Sequence, residues 1–309
     1  MQKKRVLLLC GGGGPEHEIS LVSAKYIEKI LSGIPNLDLT IKELKLSPEK
    51  DDLFNSLKDP DYIIPCIHGP PGETGDVQAF LDLLKIPYLG AGPEASRICF
   101  NKITTKLWLE SLNIPVTPYK SLSYKNLELA GEVFDQWGEV FVKPASQGSS
   151  IGCFLIDKKE KLEDAIDEAF KYSSQVLLEK VIKGRELEVA VYEMGGKIVA
   201  TDPGEIVLND TFYTYKEKYD DTSKVTTKTK AQDLDEKIKI VLKDFSIQAF
   251  KGLGIRHLAR VDFFITKDGH IYLNEINTFP GMTPISMFPK MLKAHGDEFQ
   301  EFLWEKINS

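Results

Sequence analysis

Cysteine is scarce in this chain, and its spacing is wrong for metal chemistry. The 309 residues contain four cysteines, Cys10, Cys66, Cys99 and Cys153, and no two form a CxxC pair. Zinc and iron–sulfur centres need clustered thiolates, so neither is expected. Three lie in apolar contexts (LLLC, IIPCI, SRICF), and Cys153 follows a glycine. Buried, reduced thiols are the expectation. Long apolar runs are also missing, none reaching the ~18 residues of a membrane span. The first run, Val6–Cys10, is shorter than the roughly 7–15 residues of a signal-peptide core. A cytoplasmic location without membrane contact is expected. A basic excess is lacking too: 39 Lys and Arg face 46 Asp and Glu, a net charge of -7. A nucleic-acid binder would show the opposite balance, because it must neutralise phosphates. One small anion in a locally basic site remains compatible.

The rest of the composition is that of an ordinary globular chain. Hydrophobic residues at 42% and charged residues at 28% argue against disorder. The length alone suggests two domains. Val6–Cys10, the glycines 11–14 and the segment ISLVSAKYIEKIL, with Val22, Tyr26 and Ile30 at helical spacing, read as buried parallel strand, turn and helix. Further strands are expected at Leu37–Leu46 and Tyr62–His68, and a helix at Gly75–Ile86. This alternation predicts an α/β class protein with an N-terminal doubly wound parallel sheet. One helix is expected over 93–112, ended by proline in IPVTP. Strands then dominate: Val140–Lys143, Ile151–Ile156, Val176–Val181, Glu186–Tyr192 and Lys197–Thr201, with a helix at Lys161–Tyr172. Gly195-Gly196 signals a hairpin. Residues 209–230 are polar and long for a connector, so a functional lid is expected there. A helix over 233–252 and strands Leu258–Thr266 and His270–Asn277 complete the pattern.

The most informative stretch is ARVDFFITKDGHIYLNEINTFPGMT. Asp268-Gly269 signals a two-residue turn. If Lys267 then faces His270, Asp262 lies opposite Glu275 and Arg260 opposite Asn277. Strand alternation places all four on one face. Opposed carboxylates repel each other. They make sense around a cation, and their hard oxygens suit Mg²⁺ on substrate phosphates. One bulge would break this pairing. A wet, purely structural hairpin face is the competing reading.

The whole pattern resembles the D-alanine–D-alanine ligase family of the ATP-grasp superfamily. The motifs that carry the resemblance are GGGGPEHEIS (11–20), HGPPGETG (68–75), VKPASQGSSIG (142–152), LLEKVIKGRELEVAV (177–191), YKEKY (215–219) and RVDFF…LNEINTFPGMTPIS (260–286). They span nearly the whole chain in the family's order. The resemblance implies a three-lobed ATP-grasp fold: a substrate-binding lobe (1–92), a central lobe (93–182) and a catalytic lobe (183–309) carrying the lid loop 209–230. It implies ATP-dependent joining of two D-alanines through an acyl phosphate, for peptidoglycan. A homodimer is the family's common state.

The family's roles map onto individual residues. Asp262, Glu275 and Asn277 would hold two Mg²⁺ ions, a set that Mn²⁺ also suits. Arg260 and the backbone N–H of Gly281 would stabilise the oxyanion. Lys102 and Lys143 match lysines that contact ATP phosphates, although Lys102 alone would read as a solvated helix residue. Gln147 to Gly152 forms a small loop able to wrap phosphate. It lacks the GKS ending of a P-loop. Glu179, Lys180 and Ile182 match the adenine hinge. Glu186 matches the ribose carboxylate, and Glu188, on the same strand face, competes for that role. Glu16 alone would favour a helix dipole. In the family it orients the first D-alanine's ammonium, in a hydrogen-bonded set with Ser149 and Tyr219. His68 falls near the same substrate, although a lone histidine at a strand end is commonly structural. Lys218 and Ser286 match groups near the second substrate and the phosphoryl group. The Lys218-Tyr219 pair favours an amine over a hydroxy acid as acceptor. No residue is assigned as the base that deprotonates this amine.

There are departures from the family pattern. Gly13-Gly14 stand where a small hydroxyl residue is common. Two prolines stiffen HGPPGETG, and the stretch after Tyr219 lacks the family's CPA-like segment. They bear on lid closure more than on chemistry. Other ATP-grasp ligases and a non-catalytic nucleotide-binding module are the competing classes. The intact Arg260, Asp262, Glu275 and Asn277 set disfavours the module. A dinucleotide oxidoreductase fails, since Glu16 occupies the last glycine position of G-x-G-x-x-G.

Overall fold

Three sheets organise the chain, with one apolar cluster shared by the first and third sheets and others under the third and central sheets. The computed structural model describes residues 3–45, 60–207 and 226–309. The first sheet has the order β2-β1-β3, from Lys4–Gly11 (β1), Leu37–Leu44 (β2) and Tyr62–Pro65 (β3). Both pairings are parallel. Val6 to Cys10 are buried, as an uninterrupted apolar run in a parallel strand requires. Helix α1 (His17–Leu31) follows the glycine turn, but Val22 is exposed. Its inward face is Ser20, Ser23, Ala24, Ile27 and Leu31. Ser20 and Ser23 are polar, so apolar spacing alone does not reveal this face. Ser20 earns its burial by hydrogen bonds, its hydroxyl accepting from the Gly11 amide and donating to the Cys66 carbonyl. The third predicted strand stops at Pro65, short of His68. Helix α2 (Asp76–Leu83) completes this region.

The helix expected over 93–112 is two helices, α3 (Pro93–Phe100) and α4 (Lys102–Ser111). Asn101 breaks it. Its backbone is extended, and its side chain accepts from the amides of Ile103 and Thr104, at 3.0 Å each. That is an N-cap, and it lets α4 start in a new direction. The Lys102 amide then donates to the Ala145 carbonyl, which seats α4 on the central sheet.

The central sheet is antiparallel with order β4-β7-β5-β6. Its strands are Tyr119–Leu122 (β4), Val140–Pro144 (β5), Phe154–Ile156 (β6) and Val176–Lys180 (β7). β6 is shorter than the expected Ile151–Ile156, because residues 151 and 152 belong to turns. Helices α5 (Leu127–Trp137) and α6 (Leu162–Phe170) cover one face with Ala130, Val133, Ile166 and Ala169. The other face presents Phe141, Lys143, Leu177 and Glu179, whose register places them on adjacent strands. β4 and α5 were not anticipated from the sequence.

The third sheet has the order β11-β10-β8-β12-β13, with β9 on β8. The strands are Gly184–Met194 (β8), Lys197–Ala200 (β9), Gly204–Val207 (β10), Thr226–Lys228 (β11), Leu258–Thr266 (β12) and Ile271–Asn277 (β13). Met194 pairs with Lys197, so Gly195-Gly196 is the expected two-residue turn. Part of the expected lid, Thr226–Lys228, is instead strand β11, paired with β10. The rest of that loop up to residue 225, with Lys218 and Tyr219, lies outside the described residues. Leu187, Val189, Val261, Phe263 and Ile265 pack beneath helix α7 (Glu236–Gly252). Leu258, Ala190 and Tyr192 pack under helices α8 (Met287–His295) and α9 (Phe299–Asn308). The rest of that second face carries Arg260, Asp262 and Glu188.

Candidate active site

The hairpin β12–β13 puts Asp262 opposite Glu275 and Arg260 opposite Asn277, as expected. It arrives there by a different route. The turn has three residues, Lys267, Asp268 and Gly269, since the Thr266 and His270 backbones pair across it. Gly269 takes φ +85°, the left-handed position that such a turn needs. This shifts the ladder by one, so that Phe263 faces Leu273. A bulge between Asp262 and Phe263 shifts it back. The two irregularities cancel at the carboxylates.

Asp262 is buried at 3% exposure and lies between two glutamates, Glu275 on β13 and Glu188 on β8. Arg260 grips Asp262 with two hydrogen bonds, 2.8 and 2.7 Å, and reaches Glu188 at 3.1 Å. Burial alone would disfavour the guanidinium's charge. Asp262, Glu188 and Glu275 outweigh that and hold its pKa well above the usual arginine value. Asn277 donates to Asp262 at 3.1 Å. Among the described residues, no three His, Cys, Asp or Glu side chains converge as a ready-made cation cage. Glu188 is thereby separated from Glu186. Glu188 pairs with Arg260, whereas Glu186 lies two residues further along β8, across from Phe264 and Ile206.

Lys102, at the start of α4, bridges this hairpin to the Gln147–Gly152 loop. Its ammonium donates to the Gln147 carbonyl at 2.5 Å and lies 4.0 Å from Glu275 Oε2. The solvated-helix reading of Lys102 therefore fails. Ser149 and Ser150 both adopt left-handed backbone, φ +50° and +59°. Side chains resist that conformation, and such strain concentrates at functional loops. Lys102, Gln147, Gly148, Ser149, Glu275 and Asn277 line one cleft.

Glu16 stands at the N-cap of α1, but its side chain caps nothing there. Instead Glu16 Oε1 accepts a hydrogen bond from the Ser149 hydroxyl. Its other oxygen is walled by Gly69 and Gly148, where added Cβ atoms would fall 2.6 and 3.3 Å from it. Two of the three residues expected in one hydrogen-bonded set are thus together. His68 is 5% exposed, hydrogen-bonded to Ser23 at 2.9 Å, 3.7 Å from Glu73 and tilted against Phe279. Glu73 also lines the cleft and was missed from sequence. Its only signal was its place in HGPPGETG. A Cβ on Gly281 would lie 2.9 Å from Ser286 Oγ, so a side chain there displaces that hydroxyl. Ser286 Oγ accepts from the Thr283 amide at 3.0 Å and meets the Thr283 hydroxyl at 2.7 Å. Thr283 is a second residue missed from sequence.

On the central sheet, Glu179 is 2% exposed and accepts from two lysines, Lys106 at 2.7 Å and Lys143. Burial would raise its pKa, but the two ammoniums win and lower it to about 2. Burial works against the Lys143 charge as well, yet Glu179 keeps its pKa raised. Lys180 is exposed and ends β7, and Ile182 is partly buried just beyond it. The Lys180 amide is occupied by the Pro118 carbonyl.

A family model described as the D-ala D-ala ligase C-terminus matches residues 108–308. The D-alanine–D-alanine ligase of Shewanella amazonensis is 49% identical, over 99% of this chain and 98% of that protein. The one from Vibrio campbellii is 50% identical over 99% of each. Among solved structures, D-alanyl-alanine synthetase A from Vibrio cholerae superposes with a TM-score of 0.92 at 47% identity, covering 100% of this chain and 98% of that one. The D-alanine–D-alanine ligase from Aeromonas hydrophila gives 0.82 at 45% identity, covering 99% and 100%. Matches this close over the full length settle the relationship: the chain belongs to the D-alanine–D-alanine ligase family and has its ATP-grasp fold.

Proposed function

We propose that the protein joins two D-alanines to D-alanyl-D-alanine at the expense of ATP, for peptidoglycan synthesis in the cytoplasm, and works as a homodimer. The lobes run over 1–92, 93–182 and 183–309. The observation that carries the reading is the Asp262–Glu275 opposition, with Lys102 of α4 bridging the Gln147–Gly152 loop to Glu275. Two carboxylates facing each other repel, and a divalent cation removes that cost. Asp262, Glu275 and Asn277 offer hard oxygen donors on one strand face, so the set fits Mg²⁺. Bound there, the metal supplies charge neutralisation for the transferred phosphoryl group.

This chain's own residues account for the rest. Lys102, Lys143 and the Gln147–Gly152 amides hold the ATP phosphates. Glu179, Lys180 and Ile182 border the adenine. Glu186 takes the ribose, because Glu188 is committed to Arg260. Glu16, held by Ser149, receives the first D-alanine's ammonium beside His68. A carboxylate oxygen of that D-alanine attacks the γ-phosphorus. The bond to ADP breaks, leaving an acyl phosphate. The second D-alanine's amine, having lost a proton, attacks the acyl carbon. Arg260 and the Gly281 amide stabilise the oxyanion, and phosphate leaves. Lys218, Tyr219 and Ser286 orient the acceptor.

Mass analysis of a mixture with ATP, Mg²⁺ and D-alanine tests this. The expected products are D-alanyl-D-alanine, ADP and phosphate. Phosphate release with a different amino acid, but none with D-alanine, would overturn the reading.

A further inference from the structure

Lys106 lies one turn after Lys102 on α4, on the same helix face. Its side chain is 1% exposed. A lysine buried so deeply needs a strong reason, because desolvating an unpaired ammonium is costly. Its ammonium is 2.7 Å from Glu179 Oε1 and donates to the Thr117 carbonyl at 3.2 Å. The other oxygen of Glu179 takes Lys143. One buried carboxylate therefore lies between two ammoniums. Lys143 is the more exposed of the two, at 13%, and Lys106 lies behind.

The geometry has a consequence for Lys143. Alone with Glu179, Lys143 would be neutralised as a one-to-one pair. With Lys106 present, Glu179 divides its charge, and the cluster keeps one positive charge for an incoming anion. Burial lowers the pKa of Lys106, and Glu179 opposes that shift. Lys106 also touches the segment that joins the two sheets. Thr117 donates its amide to Leu273 on β13 at 3.4 Å, and Leu273 donates to Pro115 at 2.8 Å. The ammonium thus ties α4 and β7 to the segment that hydrogen-bonds β13, the strand carrying Glu275.

We propose that Lys106 is a positioning residue for the nucleotide: it fixes the carboxylate of Glu179 that it shares with Lys143, and so holds the Lys143 ammonium in place and leaves the cluster a net positive charge toward the ATP phosphates. This rests on the reading that Lys143 binds ATP.

The test compares Lys106→Met with Lys143→Met in the full-length enzyme. Calorimetry measures ADP affinity, and steady-state kinetics measures both substrates. For Lys106→Met, KM for ATP and Kd for ADP should rise about tenfold, the worth of one charge-assisted contact. KM for D-alanine should stay within about twofold and kcat within about threefold. Adding Lys106→Met to Glu179→Gln should weaken ADP binding by less than about twofold more, since the shared carboxylate charge is already gone. If Lys106→Met does not fold, Lys106→Gln carries the test, with an expected rise of about threefold. Unchanged ADP affinity, an equal rise in both KM values, or full additivity with Glu179→Gln would overturn the proposal. If Lys143→Met itself leaves ADP affinity unchanged, the nucleotide reading fails instead.

Discussion

Asp262 faces Glu275 across β12 and β13 only because a three-residue turn and a bulge displace the register in opposite directions. A hairpin rarely needs such compensation for stability. Here it leaves two carboxylates opposed, with Arg260 gripping one of them and Lys102 close to the other. The arrangement favours charge neutralisation over strand pairing.

Glu275→Gln separates these two demands. Turnover should fall by at least about a hundredfold, because a metal-ligating charge contributes several kcal/mol to transition-state stabilisation. Metal-free stability should hold or rise by up to about 1 kcal/mol, since a like-charge cross-strand pair is removed. Urea unfolding and phosphate release check the two halves. Near-normal turnover would remove Glu275 from the metal set.

Glu179 gives a pH prediction. Its folded pKa of about 2 lies below the ordinary glutamate value of 4.5. A depressed carboxylate stabilises the fold fully above its unfolded pKa, and that contribution fades as pH falls toward the folded pKa. Glu179→Gln leaves Lys106 and Lys143 buried without their partner, which costs roughly 3–5 kcal/mol at neutral pH. The stability gap between wild type and variant should therefore narrow as pH drops from 4.5 to about 2. Urea titrations across that window measure it. A constant gap would show that the loss is packing rather than charge.

Much of the fold was legible because it rests on local signals. The β12 strand, the Gly195-Gly196 turn and the strand–turn–helix at the N-terminus follow from periodicity and turn chemistry. The Asp262–Glu275 pairing was read correctly through a turn read incorrectly, because bulge and turn length cannot be separated in sequence. Asn101 carried a cap signal, but the apolar spacing on both sides masked it. Val22 looked like a core residue, whereas α1 turns Ser20 and Ser23 inward, satisfied by Gly11, Cys66 and His68. Lys106 could not be read at all. Its burial depends on Glu179, 73 residues away, and no local pattern encodes that contact.

Gly281 tests the oxyanion role. A Cβ there would lie 2.9 Å from Ser286 Oγ, so alanine displaces that hydroxyl and disturbs its hydrogen bonds with Thr283 beside the oxyanion donor. Losing one aligned oxyanion donor costs about 10²–10³ in kcat. Gly281→Ala should lie near the lower end of that range, with KM for ATP little changed. A lone rise in KM for ATP would move Gly281 out of the acyl-transfer step.

Tyr219 bears on the choice of acceptor. Glu16 and Ser149, two of the three residues of its expected hydrogen-bonded set, are joined, and Glu16 is held against Gly69 and Gly148. A tyrosine completing that set would close the acceptor pocket with a neutral hydroxyl. Tyr219→His puts in a side chain that gains positive charge below about pH 6.5. That charge repels an ammonium acceptor and tolerates neutral D-lactate hydroxyl. The ratio of kcat/KM for D-alanine over D-lactate should therefore fall, and fall further as pH is lowered from 8 to 6. Competition between the two acceptors, with products separated by mass, measures the ratio directly. A preference that stays constant across that pH range would place Tyr219 outside the acceptor pocket.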